Sequence, residues 1–179
     1  MHAVRFHSHG DTDVLQTDEI DRPEPEADEV LVAVDGAAVN PVDTYFRDGS
    51  YKPFTLPMIP GIDAAGEVVA VGDDTTGFTA GDAVIATGIG KEHYGGYAEY
   101  AAIPAARVVT LPVGFDTLSA GSAGTAPRTA WRALIAPPDL GLAASCLING
   151  VAACARSAAI QLAASAGSQV RTTASPTSH

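Results

Sequence analysis

The chain has 179 residues, 46% of them hydrophobic, with a formal charge of −11 and an isoelectric point near 4.6. This length allows one ordinary domain plus part of a second. The negative field excludes nucleic acid and anionic lipid as natural partners, and no stretch is long and apolar enough to span a bilayer.

Ten Lys and Arg against 21 Asp and Glu suit a salt-rich, halophilic cytoplasm, where screening removes self-repulsion. They suit an ordinary acidic protein as well. Met1-His-Ala-Val-Arg-Phe-His7 has no apolar h-region, so no signal peptide is expected and a soluble, cytoplasmic protein is. Cys146 and Cys154 form no Cys-x-x-Cys pair and read as small packing residues.

Along the chain, Asp21-Arg-Pro-Glu-Pro-Glu-Ala-Asp28 is a solvated acidic loop in which Pro23 and Pro25 stop regular structure. Residues 29–34, 66–71 and 82–86 are β-branched runs bounded by Gly, Asp or Pro. Residues 96–101 alternate, and Arg107-Val-Val-Thr-Leu111 closes the series. Many short, punctuated strands predict a compact β-barrel. From about residue 116 the composition turns Ala-rich. Thr125 to Ile135 predicts a helix capped by Thr125, with Pro127 in its first turn and Pro137-Pro138 ending it. A buried strand over 145–148, a helix over 152–166 stopped by Gly167, and a strand over 169–173 make one βαβ unit. The expected boundary separates residues 1–124 from 125–179.

Two segments carry the chemistry: Asn40-Pro-Val-Asp-Thr-Tyr-Phe-Arg-Asp-Gly-Ser-Tyr51 and Pro60-Gly-Ile-Asp-Ala-Ala-Gly-Glu-Val-Val-Ala-Val-Gly72. Asn40 offers an amide that both donates and accepts, and Asp43, three residues on, shares a face of a short turn with it. Tyr45 and Tyr51 offer flat apolar faces with a hydroxyl tip, which suit a planar ring. These segments resemble the catalytic domain of the zeta-crystallin-like quinone oxidoreductases, in the medium-chain dehydrogenase/reductase superfamily. The resemblance implies a GroES-like β-barrel catalytic domain over 1–124 and a partial, C-terminally truncated Rossmann domain over 125–179, an α+β and α/β architecture. It also implies that Asn40, Asp43, Tyr45 and Tyr51 line the cleft where nicotinamide meets quinone. Arg47 and Gly49 fit the same pattern.

Zinc-dependent relatives carry a Cys near the position of Asn40 and a His-Glu pair where this chain has Ile62 and Asp63. Zinc needs several soft or imidazole ligands at one point, so no zinc is expected, and His7 and His9 read as solvent-side residues. Thr129 matches a threonine that faces nicotinamide in relatives, and reads equally as an ordinary first-turn threonine. Relatives have a glycine-rich loop between the first strand and helix of the βαβ unit, where backbone meets pyrophosphate. Here the loop is Asn149-Gly-Val-Ala-Ala-Cys-Ala-Arg156. Gly150 survives, while Ala153, Cys154 and Arg156 take glycine positions, where strain and loss of close approach are expected. Arg156 is the cation that could meet phosphate. Residues 167–179 hold no acid to bind ribose hydroxyls, and Arg171 and Ser175 lie nearby, which tilts the implied coenzyme toward NADPH.

The function so implied is an NADPH-dependent oxidoreductase. It passes hydride to a quinone or related α,β-unsaturated carbonyl, with activity weakened or lost in this short form. The alternative is a non-enzymatic binding protein that has lost its coenzyme. One βαβ unit leaves Leu147, Ile148 and Val170 in need of cover, so a homodimer or aggregation is expected. Unscreened self-repulsion makes a further expectation measurable. The melting temperature should rise between about 10 mM and 1 M salt, over which the Debye length falls roughly tenfold. An unchanged melting temperature marks the ordinary acidic protein.

Overall fold

The computed structural model describes residues 1–51, 55–90, 95–136, 145–150 and 153–174. The chain divides into two compact units, Met1–Gly124 and Thr125–His179.

In the first unit, β1 (His2–Arg5) pairs antiparallel with β2 (Gln16–Glu19). β3 (Glu29–Ala38), β4 (Asp63–Val71), β5 (Ala83–Thr87), β6 (Tyr100–Pro104) and β7 (Val108–Thr110) form one antiparallel sheet in the order β6-β3-β4-β5-β7. Helix α1 (Pro41–Asp48) leaves the end of β3, and the single turn α2 (Thr117–Ala120) follows β7. The β-branched runs read at 29–34, 66–71 and 82–86 overlap β3, β4 and β5, and the run 107–111 overlaps β7, whereas only the last two residues of the alternating run 96–101 reach β6. The strands' inward side chains make the core. Val30, Val32, Val68, Val84, Ala101 and Ile103 are buried together. The register shifts between Val34 and Gly36 of β3, and the chain can pass there only because residue 66 is glycine. A Cβ at Gly66 would lie 1.8 Å from the Ala33 carbonyl oxygen. A second cluster, Phe6, Phe46, Met58 and Ile62, seats α1.

The predicted barrel does not form. Among the described residues the five-stranded sheet is open, with β6 and β7 on opposite edges. Closure needs the edge strands to pair with each other. The tight 3₁₀ turn Ala105–Arg107 instead sends β6 beside β3 and β7 beside β5. The two-stranded β1–β2 sheet touches the rest through isolated bridges at Ala3–Ala98 and Phe6–Met58. The architecture is α+β: an open antiparallel sheet with a small parallel βαβ unit.

In the second unit, α3 (Thr125–Leu134) precedes β8 (Ser145–Asn149), α4 (Cys154–Ser165) and β9 (Gln169–Thr173). β8 and β9 are parallel, with Ser145 opposite Gln169. Gly167 stands just past α4 with φ +79°, as a helix stop requires. Thr125 lies inside α3 rather than capping it, and Pro137-Pro138 falls outside the described residues. Ile148 is buried, whereas Leu147, on the opposite face of β8, is 63% exposed.

Phe46 is 1% exposed and anchors α1. Phe46→Ala is expected to destabilise the first unit by about 3–5 kcal/mol, read from urea-denaturation midpoints.

Candidate functional site

Asn40 ends the run out of β3 with extended backbone (φ −115°, ψ 153°) and opens α1, with Pro41 as the first helical residue. An Asn before a Pro at this point favours helix initiation, since proline's missing N–H would be unpaired there anyway. The Asp43 carboxylate reaches back to accept the Asn40 backbone N–H at 2.8 Å. Its other oxygen accepts the Gly61 N–H at 2.9 Å, and the Ile62 N–H also bonds to the carboxylate. The Tyr97 hydroxyl adds longer contacts to Asp43 (3.4 Å) and to the Ala38 carbonyl (3.3 Å). Asn40, Asp43 and Asp63 are all buried. The Asn40 side-chain Nδ2 donates to Asp63 at 2.9 Å. This network ties α1 to the turn before β4 and to the Gly95-Gly96-Tyr97 segment.

Gly61 makes the junction possible. It has φ +97°, and a Cβ there would sit 2.5 Å from the Tyr97 ring. Its N–H turns to Asp43 while its carbonyl accepts from Gly96 at 2.7 Å. Burial raises the Asp43 pKa above 3.8, opposed in part by the N–H groups of Asn40, Gly61 and Ile62 and by the Tyr97 hydroxyl. Burial, and then the facing Asp43 and Asp63, push the Tyr97 phenol well upward, so it stays a donor.

Tyr45 and Tyr51 are about half exposed. The Tyr51 N–H bonds the Tyr45 carbonyl at 2.9 Å, and its ring meets Phe46 edge-on with centroids 5.3 Å apart. Arg47 serves the scaffold, with Nε donating to the Gly10 carbonyl at 3.3 Å. The structure therefore gathers the predicted Asn40 and Asp43 into one network, and puts Tyr45 on α1 and Tyr51 two residues past the Gly49 that ends it. Asp63, Gly61 and Tyr97 were not among the predicted site residues. Their signal was the pair Pro60-Gly-Ile-Asp63 and Gly95-Gly-Tyr97, which only close packing makes neighbours.

In the second unit, the Thr129 hydroxyl donates to the Thr125 carbonyl of its own helix at 2.7 Å. Gly150 has φ +77°, and its N–H bonds the Thr173 carbonyl at 2.9 Å. Arg156 lies in the first turn of α4, with a guanidinium nitrogen 3.4 Å from the Gly150 carbonyl. Arg171 is exposed on β9, and Ser175 lies outside the described residues. The strain expected at the substituted glycine positions is absent. No described non-glycine residue has positive φ, and Ala153 sits at φ −100° as an ordinary helix entry. The helix has simply begun where glycines would have turned.

No group of three or more His, Cys, Asp or Glu among the described residues is placed to hold a metal. No described helix is long and apolar enough to cross a membrane.

Residues 26–113 match the alcohol dehydrogenase GroES-like domain family. The chain is 38% identical to the human quinone oxidoreductase over 97% of its own length and 53% of that protein's. The Escherichia coli quinone oxidoreductase complexed with NADPH superposes with a TM-score of 0.89 at 27% identity, over 99% of this chain and 53% of that one. A mycobacterial quinone oxidoreductase gives 0.88 at 30% identity, over 99% and 54%. These matches make the chain a member of the GroES-containing medium-chain dehydrogenase/reductase superfamily. The chain spans about half the length of the curated relatives it matches. Within the superfamily it belongs to the zinc-independent, quinone-oxidoreductase-like members.

The raised Asp43 pKa has a signed consequence. A carboxyl that holds its proton more tightly in the folded state contributes stability that is present below 3.8 and is lost as pH rises through the higher folded value. Asp43→Asn, which cannot titrate, should therefore lose more stability relative to wild type in acid than at neutral pH. Urea denaturation of both proteins across that window checks the sign.

Proposed function

We propose that the chain is built for NADPH-linked reduction of a quinone or a related α,β-unsaturated carbonyl, with its first unit supplying the substrate-side groups. The observation that carries this reading is the buried Asn40 amide, fixed by hydrogen bonds at the head of α1 where zinc-dependent relatives place a metal ligand. One Nδ2 hydrogen is committed to Asp63, and the second is a donor for a carbonyl oxygen, polarising it as electron density arrives. Tyr45 and Tyr51, both half exposed, would offer faces to a planar ring and hydroxyls to its oxygens.

The second unit fits an anionic coenzyme by charge. It holds four arginines, Arg128, Arg132, Arg156 and Arg171, against Asp139 alone. Ala153 cannot cap α4 with its side chain, so the helix head suits a phosphate. Gly150, Arg156, Arg171 and Thr129 are the described residues assigned to hold NADPH, which when bound supplies the hydride. Ser175 completes the set by sequence.

A second reading, a binding protein without coenzyme, is favoured by two features. The Gly150 N–H is already bonded to Thr173, and side chains at 153, 154 and 156 prevent the close approach that glycines give. Both features weaken NADPH without abolishing it. Calorimetric titration is expected to give a Kd of about 0.1–1 mM, equivalent to roughly 4–5.5 kcal/mol, weakened further in Arg156→Ala. Asn40→Ala should leave that affinity alone and lower quinone turnover about 100-fold. Absence of saturable NADPH binding would leave the coenzyme-free reading standing.

A further inference from the structure

We propose that Asp63 is a positioning residue: it fixes the polarity of the Asn40 amide, so that Asn40 presents a donor to an oxidised, carbonyl-bearing ligand. The inference rests on the substrate-side reading given above and extends it to a residue outside the Asn40–Tyr51 segment.

An asparagine side chain is nearly symmetrical in shape, with C=O and NH₂ of similar size, so its neighbours decide which end points where. Here one neighbour is a carboxylate, which only accepts, and the other is the Asp43 backbone N–H, which the Asn40 side chain faces as the acceptor of a capping box. Asp63 is 1% exposed and receives the Asn40 Nδ2 at 2.9 Å. Turning the amide over would bring its Oδ1 against that oxygen at the same distance, acceptor on acceptor, with no bulk water to intervene.

Asp63 itself cannot swing aside. As the first residue of β4 it is paired on one side with Ala38 of β3 and on the other with Thr87 of β5. Its carboxylate is walled by Gly124, where an added Cβ would lie 2.5 Å from Cγ and 2.6 Å from Oδ1. Asn40 is held independently by its backbone N–H to Asp43. Both ends of the Asn40–Asp63 bond are thus anchored to rigid elements, and the amide keeps one orientation. Its second N–H meets a ligand carbonyl. A hydroxyl at the same place has to rotate its own hydrogen away. The lock therefore favours a quinone over its hydroquinone at Asn40.

The test uses the full chain. In ¹⁵N–¹H spectra the Asn40 side-chain pair is assigned by its disappearance in Asn40→Ser. One of its protons should be shifted downfield and slow to exchange in wild type. Asp63→Asn keeps the volume but lets either polarity pair, so that proton should lose its shift and protection while the melting temperature stays near wild type. Gly124→Ala, which presses on the carboxylate and keeps its charge, should perturb the same resonance.

Unchanged Asn40 resonances in Asp63→Asn overturn the proposal. If that variant does not fold, unchanged resonances in folded Gly124→Ala overturn it alone. In binding measurements without coenzyme, a preference for 1,4-benzoquinone over hydroquinone of about tenfold should fall to near unity in Asp63→Asn. A preference retained in that variant counts against the proposal. A locked amide in a protein that binds neither compound supports the lock and overturns the substrate-side reading instead.

Discussion

The first unit depends on one buried carboxylate. Asp43 accepts N–H groups from Asn40, Gly61 and Ile62 and faces the Tyr97 hydroxyl. These bonds join the start of α1, the turn into β4 and the Gly95–Tyr97 segment at a single point. Burying a carboxyl is costly unless several donors converge on it. Here they do, and no buried side-chain polar atom among the described residues lacks a partner. Removing any one of the three segments would strand the others' donors or the acceptor itself. Asn40 is held in place as a by-product of this junction, which is why a scaffold feature and a candidate chemical group occupy the same residues.

Charge is segregated more sharply than the whole-chain value of −11 suggests. Twenty of the 21 Asp and Glu lie in Met1–Gly124, where six Lys and Arg accompany them. The second unit is basic. A single net charge read from the sequence averages two opposite fields.

Much of this was legible in the residues. β8, α4 and β9 were readable because a short apolar run, an Ala-rich stretch and Gly167 mark their ends, and local signals decide such elements. The barrel was not readable, because strand count says nothing about which edges meet. That depends on the path of the 3₁₀ turn Ala105–Arg107, a tertiary outcome. In sequence, helix α1 reads as a short turn, although Asn40 followed by Pro41 and Asp43 is a helix-start signal. Thr44, Tyr45 and Phe46 obscured it, being weak helix formers that packing stabilises. In sequence, Asp63 marks only the end of the Pro60-Gly-Ile-Asp run and the place where a zinc ligand is missing. Its bond to Asn40 joins positions 23 apart in the chain, and no local pattern announces it. Strain was expected at Ala153, Cys154 and Arg156 by analogy with glycine loops, but the backbone there takes ordinary angles.

The pairing of β3 with β6 has a consequence for how the molecule is made. Glu29 lies opposite Pro104 and Ala33 opposite Tyr100, so a ribosome must synthesise the whole intervening chain before β3 gains its second neighbour. Until then Val30 and Val32, destined for the core, sit on a strand with one edge bare, the kind of surface on which nascent chains aggregate. β8 and β9 close a far shorter loop through α4 and need wait for nothing upstream. The two units thus differ in contact order as well as in charge, and the longer exposure to chaperones falls on the one that carries Asn40.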